Sequence, residues 1–443
     1  MKHTILNSAI TAAMAIGLAA CSSGSDVAGI GGSGITSSGT VTGFGSFYQN
    51  GVKYDDTNAT VTRDDNPSTS DQLKLGMRVS VTGTVNADDT GVANTVSISG
   101  DLEGPVDNIQ TTNIDTTRTL TILGRQVRIS VDTTNFDVSG LVGPVPFDFD
   151  NIQNTDHVEI FGFLDANNVM NATLVELKAR PFNASSLVEV KGVIENHNTT
   201  NNTFNLVGAS STTISYVPGT TVIDNNLPGG IADDAFVEVK GTCADASCAD
   251  LDASKVESGL DDFADNEDVE YEGVVTGFTD ADNFEVNGIP VSASGATRTP
   301  AGFVPALNQE VEVEGTYNGT TLVATKVKDE SNDLKIEDRI FDVDPANNSF
   351  RLEPVESSGE LITVIMDKST EVEDEVGGIT NPDDLINSLS SGQFVSVEGY
   401  NGGTGTIIAS EIERETPSSG GDDVIVQGII LSLIHISEPT RLQ

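Results

Sequence analysis

Basic residues are scarce in this chain. Its 443 residues hold 22 Lys and Arg against 67 Asp and Glu, a formal charge of −45 with a pI near 4.1. A surface of that sign repels phosphodiester backbones and anionic headgroups, so nucleic acid is not expected as a partner. Tryptophan is absent and aromatics make up 5% of the chain, which leaves little base-stacking surface of the kind single-strand binders use. The four histidines and three cysteines form no zinc signature, and neither a P-loop nor a dinucleotide fingerprint occurs. His3 and His435 lie near the two ends; His157 at a strand start and His197 in "ENHNTTNNT" read as solvated side chains without a nearby nucleophile. No apolar run beyond the N-terminal stretch approaches the length of a spanning helix. No catalytic residue, cofactor or metal ligand is assigned, and a non-enzymatic protein is expected.

What the N-terminus does contain is a targeting segment. Lys2 and His3 precede the small-residue-rich apolar run "ILNSAITAAMAIGLAA", too short for a good membrane span. It ends in "LAAC" (18–21), which resembles a bacterial lipoprotein box, with Cys21 as the lipidated first residue of the mature chain. Residues 1–20 are then the signal peptide. The resemblance implies outer-membrane sorting, because Ser22 rather than Asp follows the cysteine. Residues 21–37, Gly- and Ser-rich, read as a flexible tether. The body is therefore expected to meet the membrane only through this lipid, facing either the periplasm or the cell surface. The other two cysteines, Cys243 and Cys248 in "GTCADASCAD", flank a four-residue loop. In an oxidising compartment that pair suggests a disulfide closing a hairpin.

The strongest internal signal is a strand ending in glycine: "VSVTG" (79–83), "VEIFG" (158–162), "VEVKG" (237–241), "VEVEG" (311–315) and "VSVEG" (395–399). Alternation of apolar and polar residues predicts strands with one buried face. A second strand of form Ala-x-x-[Val/Ile] follows each, placing Ala93, Ala172, Ala253, Ala324 and Ala409 between 9 and 12 residues after the glycine. Each unit opens alike. Gly104, Gly192 and Gly273 fall inside an opening strand, where glycine suggests a bulge or bend, and the fifth unit supplies Arg339 there. Asn50-Gly51 and Asn287-Gly288 are hairpin-turn dipeptides. Between hairpin and signature strands, "NPDDLINSL" (381–389) predicts a helix with an Asn cap, and "DQLKLGMRV" a shorter version of it.

Five strands with a linker between the third and fourth is the order of an OB-type barrel, with an open β-sandwich as the runner-up. The fold class is thus all-β, a tandem array of small five-stranded OB-like β-barrels. The units run 38–101, 102–181, 185–258, 268–330 and 333–415, with 423–430 opening a truncated sixth.

The runs "GTVTGFGS", "NGVKYD", "LKLGMRVSVTGTV" and "DLEGPVDNI" resemble the bacterial repeats known as domain of unknown function 5666, most closely over residues 38 to 135. The resemblance implies an exported protein and brings no activity. After "DDVIVQGII", the text "LSLIHISEPTR" resembles a translated sequencing adapter. Residues 431–443 are accordingly expected to be non-native and the natural chain to be longer.

Paired carboxylates occur at Asp148 and Asp150, Asp280 and Asp282, Asp342 and Asp344, and along residues 261–268. None fits the calcium-loop pattern D-x-[DN]-x-[DN]-G, and most are expected to form turns. The expected function is a lipid-anchored envelope scaffold or binding protein whose partner is another envelope protein or a glycan. A calcium-dependent adhesin or glycan-binding lipoprotein is the alternative.

Overall fold

The computed structural model describes residues 34–415 and 425–427, except 45–46, 87–89, 114–116, 132, 139–144, 225–226, 228, 262, 331–333, 353–360, 367–369, 375 and 404–405. The targeting segment, Cys21 and residues 431–443 lie outside the described residues.

The second unit shows how each barrel closes. Its opening strand Leu102–Asn113 pairs antiparallel with Thr117–Ile122, which pairs with Arg125–Ser130. That third strand runs parallel to the last, Met170–Ala179, which pairs with the signature strand His157–Leu164. The signature strand returns to the opening strand and completes the ring. The order 1-2-3-5-4-1, with one parallel pair, recurs in the units opened by Gly34–Phe44, Val188–Asn198, Glu267–Asp280 and Leu334–Asp344. This is the OB-type ring, and the open sandwich is set aside. Closure gives each ring an interior of alternating apolar residues, such as Val237 and Val239 in the third unit and Val311 and Val313 in the fourth.

Local chemistry produces the connections. Asn50 and Gly51, and Asn287 and Gly288, all adopt positive φ, as the tight hairpin turn requires. In the fifth unit the linker is the helix Pro382–Ser388, where the Asn381 side chain accepts from the Asp383 and Asp384 amides. The first unit has only a 3-10 turn, Ser70–Gln72, at the matching place. A short extra strand, for example Asn135–Asp137, runs parallel to the last strand in every unit.

Three expectations shift. Residues 34–37, read as tether, belong to the first opening strand, and Ser37 is fully buried against the fourth unit. The bulges of the opening strands fall beyond the opening glycines, at 107–110, 195–198 and 275–277. The glycines instead make room for a neighbour: a Cβ on Gly273 would lie 2.2 Å from Asn287 Nδ2, and one on Gly192 would lie 2.4 Å from an Arg125 guanidinium nitrogen. In the fifth unit Asp338, not Arg339, faces Val395 as Gly192 faces Val237 and Gly273 faces Val311.

The barrels join through strands as well as side chains. The first and fourth opening strands pair in parallel, Thr36 with Val269 through Ser38 with Tyr271. Those of the second and third pair antiparallel, Leu102 with Val190 and Glu103 with Glu189, and these two units share one hydrophobic core. Phe161 and Leu174 of the second unit pack into the core of the first. Strand Ile425–Gln427 pairs antiparallel with the fifth opening strand, Ile336 facing Val426. Both antiparallel pairings thus include the residue two before the opening-glycine position.

Candidate binding site

The polar faces of the opening and signature strands carry the first feature that composition hides. In a lone barrel the alternate residues of "VEVKG" point away from the core to solvent. Here Glu159, Glu189, Glu238, Glu270 and Glu312 are all buried, because the outer face of one barrel is covered by the next. A carboxylate in that position is costly unless paired, and the scarce cations of this chain collect there. Arg63 of the first unit reaches Glu159 and Glu176 of the second at 2.5 Å each, and Lys178 joins Glu159 at 2.6 Å.

A longer network runs through the middle of the first four units. Arg78 pairs with Asp101 at 3.0 Å and with Asp261 at 3.3 Å. Lys191 holds the same Asp101 oxygen at 3.1 Å and Glu238 at 3.4 Å. Lys240 continues to Glu238 at 3.0 Å, Glu189 at 3.3 Å and Asp64 at 3.6 Å. The second Asp101 oxygen accepts from the Gly162 amide. Burial works against the charges of Arg78 and Lys191, but Asp101 and its neighbouring carboxylates outweigh it and raise both pKa values. Burial likewise opposes ionisation of Glu238, yet Lys191 and Lys240 pull its carboxyl down to about 2. Glu189 moves up, through burial and then the neighbouring Glu238 charge.

This network edges a cavity of about 270 Å³ into which four barrels contribute. The first unit supplies Arg78, the second Phe163, Asp165, Asn168 and Met170, the third Lys191, Val193 and Phe236, and the fourth Tyr271, Thr276 and Asn287. Asp101 and Asp261 come from the segments joining units. The wall is therefore made by the packing of the units, and a lone barrel does not possess it. Arg78 lies over the Phe163 ring, 5.0 Å from its centroid, which orients the guanidinium toward Asp101.

A second polar cluster fills the joint between the first and fourth units. Carboxylate oxygens of Glu270, Glu312 and Glu314 lie within 4.8 Å of one another. Ser37 donates to Glu270 at 2.9 Å and Lys326 pairs with Glu314 at 3.1 Å. Glu312 is pushed well up by burial and by Glu270, against the pull of Lys328 and Lys326.

The residues singled out in the sequence fall elsewhere. Cys243 and Cys248 form a disulfide, with Cα atoms 4.9 Å apart, across the loop between strands Phe236–Cys243 and Asp250–Ser258. His157 is buried rather than solvated, its Nε2 2.9 Å from Glu103 Oε1 and its ring edge-on to Phe182. His197 lies in a strand, not a loop, 2.8 Å from the Tyr216 hydroxyl. Two of the acidic pairs behave as turn formers, and in a third Asp342 lies within a strand and pairs across it. Asp148 accepts from the Asp150 and Asn151 amides, Asp280 from that of Asp282, and Asp342 is forked by Arg351. The cavity residues escape sequence reading because they come from eight separated stretches; the one available signal is Lys191 standing in otherwise acidic strand text.

A family model described as Domain of unknown function (DUF5666) matches residues 34–97, 103–176, 272–328 and 339–413. The chain belongs to this family. No curated protein matches it. The third barrel lies outside the four DUF5666 matches yet closes with the same strand order, so the chain carries five such barrels among its described residues.

Proposed function

We propose that this DUF5666 protein is a non-enzymatic binding and scaffold protein of the bacterial cell envelope, anchored in the outer membrane by lipid on Cys21. One observation carries the reading: the buried charges of the first four barrels are spent on one another across the joints between units. Asp101 alone ties together Arg78, Lys191 and the Gly162 amide, from three different barrels. Such joints fix the barrels as one body and leave their remaining surface, strongly acidic overall, for partners. An acidic surface favours neutral or cationic envelope glycans and proteins over DNA or anionic lipid. The alternative, calcium-dependent adhesion, rests on the carboxylates of Glu270, Glu312 and Glu314, though Lys326 already neutralises part of that charge.

The test is a pull-down from outer-membrane and cell-wall fractions, run with calcium and with chelator. Capture in both supports the scaffold, and capture only with calcium supports the adhesin. Tight single-stranded DNA binding in the same buffer overturns both. Metabolic palmitate labelling that Cys21→Ser abolishes supports the anchor, whereas labelling that survives the substitution removes it.

A further inference from the structure

We propose that the cavity between the first four barrels binds a small neutral saccharide of one or two rings. The proposal rests on the binding-protein reading above and names the ligand of one site within it.

Charge selects against ions of either sign. Both cations at the cavity are already held, Arg78 by Asp101 and Asp261, Lys191 by Asp101 and Glu238. An anionic ligand would have to displace these carboxylates while approaching a chain of formal charge −45. The carboxylates are occupied too. Asp101 is shared by two cations and an amide, and one Asp165 oxygen accepts from the Asn167 and Val169 amides at 2.8 and 2.9 Å. Of the acidic groups at the wall, Glu285 alone is solvent-exposed, too little to desolvate and hold an amine deep inside.

What remains suits hydroxyl groups. Asp165 and Glu285 bring acceptors to the wall, and Asn168 brings an amide able to donate and accept. The Thr276 hydroxyl accepts from the Gly288 amide at 2.9 Å and keeps its own hydrogen to donate. A ring that presents hydroxyls at its edge and C–H groups on its face needs this mixture of both polarities beside an apolar wall. Met170, Val193 and Phe236 form that wall. The volume of about 270 Å³ lies just under the range of drug-sized pockets, roughly 300–1,000 Å³, and so limits the occupant to one or two rings.

The experiment titrates the full chain calorimetrically with glucose, N-acetylglucosamine, maltose and chitobiose, with spermidine and citrate as charged comparators. Binding of at least one sugar, with both charged probes weaker by about tenfold or more, is expected. Ala166 lines the same cavity and is half-exposed, so Ala166→Trp should fill the space without disturbing a barrel core. It should weaken sugar binding by about tenfold or more while the melting temperature of the unliganded protein stays unchanged. Thr276→Val, which exchanges the hydroxyl for a methyl group of similar size, should weaken the same sugar to a smaller degree. Preference for spermidine or citrate, binding that survives Ala166→Trp, or no sugar binding overturns the assignment. If envelope material is still captured when no sugar binds, the cavity proposal alone fails; if nothing is captured, the binding reading fails with it.

Discussion

Gly162 and Ala172 face each other across a bulge, and a Cβ on Gly162 would lie 2.1 Å from the carbonyl oxygen of Asn171. The same relationship holds between Gly83 and Ala93, Gly241 and Ala253, and Gly315 and Ala324, with clashes of 2.2, 2.3 and 2.2 Å against the preceding carbonyl. Gly399 and Ala409 pair across a bulge too. In four barrels the backbones of the two signature strands thus come too close for a side chain on one of them, and the fifth keeps the same glycine–alanine pairing. The extra residue of the bulge bends the strand and lets a five-stranded ring close.

Gly162→Ala should therefore destabilise the protein by more than the ordinary cost of alanine in a strand. The atom in the way is backbone and cannot rotate aside, so a loss of about 1–3 kcal/mol is expected. Gly34→Ala is the control, since its Cβ would meet nothing closer than 4.0 Å. Urea unfolding of both variants checks the difference, and equal midpoints would remove the steric explanation for the repeat.

This pair also marks how far the sequence could be read. The glycine and alanine were visible as a period because the same backbone crowding recurs in every unit, and the Asn-Gly turns and the Asn381 cap were visible because their chemistry is local. The joints between barrels were not. Glu270 and Glu312 look like the solvent-facing half of an amphipathic strand, and only the parallel pairing of residues 36–38 with 269–271 buries them. No glycine marks the opening position of the fifth unit, so the sequence points to Arg339; the register against Val395 places Asp338 there. His157 reads as exposed because nothing in the neighbouring sequence hints that Glu103 and Phe182 close over the ring.

The buried glutamates make stability depend on pH. Burial and Glu270, with Glu330 adding to them, raise the folded-state pKa of Glu312 against the pull of Lys328 and Lys326. A raised carboxylate stabilises fully below its unfolded value, near 4.5, and loses that contribution as pH climbs through the folded value. Glu312→Gln keeps the shape and removes the ionisation. Its melting temperature should exceed that of the parent protein above neutral pH, with the gap closing as pH falls toward 4.5. A gap of constant size across the pH series would mean that Glu312 does not titrate in this joint.

The Cys243–Cys248 bond closes a short loop and so should contribute modestly. The chain-entropy relation for a loop of this length gives about 2 kcal/mol, the low end for a disulfide. Alkylation of unreduced protein should leave both thiols unmodified. Reduction should lower the unfolding free energy by about that amount without unfolding the third barrel, whose ring closes through five strand pairings. Collapse of that barrel on reduction would show that the bond holds more than its own hairpin.

Arg125 is the strongest test of how the second and third barrels are joined. It is 1% exposed and donates to three carbonyl oxygens: Lys191 at 2.7 Å, Val207 at 2.8 Å and Asn168 at 3.2 Å. Two of those carbonyls belong to the third barrel and one to the second. Burial alone pulls its pKa down to about 10, which leaves it charged at neutral pH. Arg125→Met keeps an unbranched apolar stem but is shorter and supplies no donor, so the carbonyls lose this partner in a buried place, at a cost of about 3 kcal/mol. Arg125→Lys should recover only part of the loss, because a point charge cannot fork between three acceptors. Gly192→Ala attacks the same contact from the other side, since its Cβ would come within 2.4 Å of a guanidinium nitrogen. With the guanidinium gone, that Cβ has room. The double variant Arg125→Met/Gly192→Ala should therefore lose less stability than the two singles added together, by more than the roughly 0.5 kcal/mol within which independent sites add. Strict additivity in urea unfolding would mean that Gly192 is glycine for some reason other than the arginine packed against it.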